Sequence, residues 1–150
     1  MLRGQLLKMK AILLVILQFT LILLLLAGTR GMNHLVLSSI FFGIAVLLMV
    51  WAIAAMKQSR LRIMPDPHRE ASLITTGPYR HIRHPMYTAV LCGGAGLLFA
   101  HFSFLRLCYW AALAVVLVLK LLYEEKMLTQ KFKNYADYTK TTSRILPWIF

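Results

Sequence analysis

The stretch AILLVILQFTLILLLLA, residues 11–27, holds one strongly polar side chain, Gln18, in seventeen positions. A helix at a water boundary carries a polar stripe opposite its apolar face, and this run has none. Its length approaches the ~20 residues that cross the hydrocarbon core as a helix. The preceding MLRGQLLKMK is basic, as in a signal peptide. The run nevertheless exceeds the roughly 7–15 apolar residues of such a leader, and no convincing small-residue cleavage site follows, so it reads as a retained span.

Three further apolar blocks lie at residues 35–56, 86–104 and 105–122. Together they predict an all-α membrane protein of about four transmembrane helices, one domain over residues 1–150 with a cytosolic tail at 123–150. The chain is 59% hydrophobic, above the roughly 45–50% of soluble domains. Residues 101–104, HFSF, join the last two blocks and predict a tight helical hairpin. The stretch KLLYEEKMLTQKF has neither Gly nor Pro, which predicts that the last helix runs on to Phe132. From Leu105 that is about 42 Å, longer than the ~30 Å core, so its final turns project into the cytosol.

Charge gives the orientation. Of the 17 Lys and Arg, 15 fall in the N-terminal segment, the loop after the second block and the tail. Only Arg30 and Arg106 occupy the other two connectors. Basic loops stay in the cytosol, so both termini are expected there. The five acids, Asp66, Glu70, Glu124, Glu125 and Asp137, share that side. A net charge of +12 in a soluble chain points to nucleic acid; flanking apolar blocks, it points to topology and anionic headgroups of membrane lipids instead. No nucleic-acid partner is expected. Cys92 and Cys108 sit within apolar blocks without metal or redox spacing.

The polar residues gather in GPYRHIRHPMY, residues 77–87. Gly77-Pro78 is a turn signal, and Pro85 suits the first position of a helix, where its missing N–H is not needed. Arg83 and His84 then stand at a helix mouth fit for an anion, or form a basic collar that orients the span. His81 and His84 lack a third ligand and have arginines between them, so no metal is expected. Glu124 and Glu125 lie where the last helix leaves the membrane, with a solvated face as the plain alternative. Lys120, one turn earlier, has snorkelling to the interface as its plain alternative. Gly93, Gly94 and Gly96 allow close helix packing or close approach of a ligand.

LITTGPYRHIRHPMY, an apolar hairpin, KLLYEE, and then Phe132, Tyr135 and Tyr138 leading to Arg144 and Leu146-Pro147 together resemble one group of enzymes. These are the integral-membrane methyltransferases of the isoprenylcysteine carboxyl methyltransferase and phospholipid methyltransferase group. The resemblance covers about half the chain, from Leu73 onward. It implies S-adenosylmethionine as methyl donor and a lipophilic acceptor, carboxylate or amine, at the cytosolic boundary of a bacterial or archaeal cell membrane, or of an endomembrane. It further implies a cofactor pocket lined by Ser72, Leu73, Ile74, Tyr79, His84, Pro85, Met86, Tyr87 and Glu124, with Arg83 and Glu125 as supports. Lys120 stands where that group typically carries a substrate-binding arginine; the charge is kept and the fork geometry is lost. The competing classes are a small four-span transporter and a non-catalytic membrane subunit. Coupled transporters place an ionisable residue deep in a span; here Gln18 is the only strongly polar residue near a span centre.

Overall fold

A computed structural model describes residues 2–27, 34–62 and 73–146. Its elements are α1 (Leu2–Leu26), α2 (Leu35–Arg62), a 3-10 turn (Gly77–Arg80), α3 (Pro85–Ala100), α4 (Phe104–Lys131) and α5 (Tyr135–Thr141). Among the described residues there is no strand, only an isolated parallel bridge between Ile82 and Ser143. The chain is an all-α membrane protein. In α1, α2 and α4 the helices are long and apolar enough to cross a bilayer. Leu13, Phe19, Val36, Leu47 and Val115 are exposed on them; in a bilayer such surface meets lipid tails rather than water.

The third helix is shorter than its apolar block. Expected over 86–104, it covers the 16 residues Pro85–Ala100, about 24 Å at 1.5 Å per residue. His101 leaves the helical region, and Ser103 is extended, its side chain accepting from the Arg106 N–H at 3.2 Å. That cap assigns Phe104 to α4. At its other end α4 reaches Lys131, and Phe132 turns out of the helix. The expected extension beyond the apolar block is therefore present, one residue short.

The helix packing converges on α3, which contacts α1, α2 and α4. Its glycines make that possible. A Cβ on Gly94 would come within 3.0 Å of Trp110 on α4, and one on Gly96 within 3.2 Å of Phe42 on α2. The glycines therefore serve close helix approach. Trp110 donates to Leu91 O at 3.0 Å and Ser38 to Gly96 O at 2.9 Å, so polar groups also bridge the helices. A core of Leu21, Leu25, Leu113, Val116 and Leu117 joins α1 to α4. Near its end Arg106 is buried and donates to Ala27 O at 2.8 Å and Leu97 O at 3.4 Å. It thus satisfies carbonyls that the last turns of α1 and α3 leave open.

Candidate active site

Gly77 has φ +62° and begins the 3-10 turn directly against α2: a Cβ there would lie 2.9 Å from that of Ala55. The turn carries Tyr79 and leads into the following segment, and Pro85 then opens α3 with His84 as its N-cap. Residues 81–84 pair with the tail. Ser143 N donates to His81 O at 3.1 Å, Arg83 N to Ser143 O at 2.8 Å and His84 N to Arg144 O at 3.0 Å. Thr88 Oγ1 adds a bond of 2.8 Å to Ile145 O. The tail is thereby strapped along the mouth of α3.

Behind this strap stands Glu125. Arg83 Nε donates to its Oε1 at 2.7 Å and Arg144 Nε to its Oε2 at 3.0 Å. Arg83 also donates to the carbonyls of Thr139, at 3.2 Å, and Thr142. One carboxylate therefore ties α4, the box at 83–87 and the tail together, with Arg83 and Glu125 both nearly buried.

In front lies Glu124, whose Oε1 accepts from the Tyr87 hydroxyl. The Tyr87 ring stacks on His84 with centroids 5.4 Å apart and planes 3° from parallel. His84 is buried, its Nδ1 3.9 Å from Glu124 and its Nε2 3.6 Å from Glu125. Burial lowers its pKa, against the opposing pull of Glu124 and Glu125, so the imidazole is neutral at neutral pH. Its Nε2 has no hydrogen-bond partner among the described residues.

These groups enclose a cavity of about 400 Å³, lined by Tyr79, Arg83, His84, Pro85, Met86, Tyr87, Lys120 and Glu124, with Met56 and Leu128. A second cavity of about 200 Å³ shares Met56, Tyr79, Arg83 and Leu128, and adds Leu73, Ile74, Phe132, Tyr135 and Tyr138. Tyr138 donates to Tyr79 O at 2.5 Å and closes this side. Burial raises the pKa of Tyr79 and Tyr138, and pushes that of Tyr135 up to about 12, so all three keep their protons. The Tyr135 hydroxyl is buried without a partner among the described residues.

Of the residues singled out in the sequence, eight line the larger cavity or both, and Leu73 and Ile74 line the smaller. Glu125 lines neither and acts as the clasp behind Arg83. Ser72 lies outside the described residues. Sequence reasoning missed Met56 and Leu128, which carry no signal beyond being apolar. Phe132, Tyr135 and Tyr138 did carry one, an aromatic every third residue.

Residues 33–135 match the model of the phospholipid methyltransferase family, and the chain belongs to that family. No curated protein and no solved structure matches it. Membership implies a methyltransferase acting on a lipophilic substrate. The matched segment runs from α2 through the 77–87 box and the Glu124–Glu125 pair to the first residue of α5.

Proposed function

We propose that this member of the phospholipid methyltransferase family moves a methyl group from S-adenosylmethionine to a lipophilic acceptor at the cytosolic boundary of the membrane. The observation that carries the reading is the meeting of the 83–87 box with Glu124 around one cavity, with Glu125 clasping Arg83 behind it. When bound, S-adenosylmethionine supplies a methyl group already activated by its sulfonium, so neither a metal nor a covalent intermediate is required of the protein. Alignment and exclusion of water are what remain.

The residues present fit that donor. Two neighbouring cavities of about 400 and 200 Å³, which share Met56, Tyr79, Arg83 and Leu128 in their walls, suit an elongated molecule with a polar and an aromatic end. The smaller, walled by Tyr79, Phe132, Tyr135 and Tyr138, suits an adenine ring, with the unpartnered Tyr135 hydroxyl as its polar contact. His84 lines the larger cavity with its Nδ1 3.9 Å from Glu124, and the two form one polar edge there. Tyr87 N and Thr88 N already donate to His84 O, which leaves the Met86 N–H as the first-turn donor for a carboxylate, and Glu124 favours hydroxyl or amino donors. Arg83, Glu125 and Arg144 fix the strap that keeps water from this mouth. Lys120, which lines the larger cavity, is assigned to the lipid acceptor.

Calorimetry of the purified protein in detergent tests this directly. Glu124→Gln and His84→Ala are expected to weaken S-adenosylmethionine binding at least about tenfold each, the scale of losing one charge-assisted hydrogen bond. Insertion should stay at the wild-type level and Glu124→Gln should unfold near the wild-type midpoint, whereas truncation of the buried His84 ring lowers the midpoint, so binding is measured well below it. Wild-type affinity in both variants would sink the assignment.

A further inference from the structure

Gln18 lies in the apolar run of α1 and is only 8% exposed. An amide in such surroundings is costly unless it is hydrogen-bonded. Its Oε1 accepts from Lys120 Nζ on α4 at 3.1 Å. The same ammonium sits 5.0 Å from the centroid of the Tyr87 ring, and the Tyr87 hydroxyl reaches Glu124. Lys120, Tyr87 and Glu124 all line the larger cavity. Among the described residues Lys120 makes no ion pair with a carboxylate; an amide oxygen and a ring face hold its charge.

The Lys120 ammonium is held between helices, by Gln18 of α1 and by the ring of Tyr87 in the first turn of α3. A snorkelling lysine would instead carry its charge out to water at the interface.

We infer that Gln18 is a positioning residue, which holds the Lys120 ammonium in the bilayer-side wall of the cavity and so selects lipids that carry an anionic group. Helix α1 precedes the segment matched to the family, residues 33–135. The selecting element is therefore contributed by a part of the chain outside that match. Calling the selected lipid an acceptor rests on the methyl-transfer reading; the lipid selectivity itself does not. The anion is a phosphate or a carboxylate, and a lysine point charge suits the former better.

The test is lipid binding by the full chain in neutral detergent micelles at pH 8, with lysophosphatidate, oleate and mono-oleoylglycerol as probes. Wild type should prefer an anionic probe over the neutral one by about tenfold, as a charge-assisted contact gives. Either anion preferred supports the inference, and the stronger identifies the group. Lys120→Met should erase the preference. Gln18→Leu should reduce it to under about threefold although Lys120 remains, and Gln18→Glu should erase it by pairing with Lys120. Gln18→Asn, too short by a methylene, repeats the Leu result should the latter variant fail to fold. Undiminished preference in the Gln18 variants, or none in wild type, overturns the inference. S-adenosylmethionine binding in the same samples should be unchanged by the Gln18 substitutions. A wild type that binds no S-adenosylmethionine defeats the methyl-transfer reading alone and leaves the lipid result standing.

Discussion

Two residues carry consequences that reach beyond their own contacts. Gly77 combines a left-handed backbone with 2.9 Å of room before Ala55. A left-handed conformation costs an ordinary residue about 1–2 kcal/mol, before any steric term. Gly77→Ala should therefore lower the thermal midpoint in detergent and loosen the turn that carries Tyr79. A midpoint equal to wild type would show that the turn can shift away from α2 freely. His84 makes stability depend on pH. Its folded pKa is depressed by burial below the ordinary 6.5, with Arg83, Glu124, Glu125 and the Tyr87 ring as its neighbours. Above 6.5 the ring is neutral in both states, and its contribution is complete. As pH falls below 6.5 the unfolded chain takes up a proton that the buried ring resists, so stability declines until pH passes the depressed folded value. Melting curves from pH 7.5 to 5 should show this decline, and His84→Gln should flatten part of it. An unchanged slope in that variant would assign the decline to other groups.

At the scale of elements, legibility followed the kind of force that builds each one. Helices α1, α2 and α4 were readable because an unbroken apolar run of about 20 residues has few destinations besides a membrane-spanning helix. The end of α3 was not, because the apolar character continues through Phe102 and Phe104 while the helix stops at Ala100. What ends it is local, the departure of His101 and the Ser103 cap on α4. The box at 83–87 and the Glu pair could be matched by their residue types, which are scarce in so apolar a chain. The strap at 142–145 could not, since its course depends on backbone bonds to 81–84 and on guanidinium contacts spanning some 60 residues. Such bonds leave no periodic trace in sequence. Met56 and Leu128 stayed hidden for a simpler reason: a cavity-lining apolar residue and a lipid-facing one look alike.

The whole molecule divides its polar and apolar work by depth, and this yields a prediction about its orientation. The site, the strap and α5 lie at one end of the helices. At the other end stand the Ala27 and Arg106 contact and the connector at 101–103. Charge bias in flanking segments sets which end faces the cytosol, and the count of 15 Lys and Arg against 2 favours the site's end. Of the two exceptions, Arg106 is buried on Ala27 O and Leu97 O, with its charge turned into the protein. The S-adenosylmethionine proposed as donor is charged and water-soluble and cannot cross the bilayer unaided, so on that proposal a site facing the other way would be starved of it. A variant with Cys92 and Cys108 replaced by serine provides the background for single cysteines. Lys140→Cys, on the exposed face of α5, should react with an impermeant maleimide only when the cytosolic side is opened. Phe102→Cys, exposed in the α3–α4 connector, should react in intact cells. The reverse pattern would place the cavity outside the cell and remove its route to the donor.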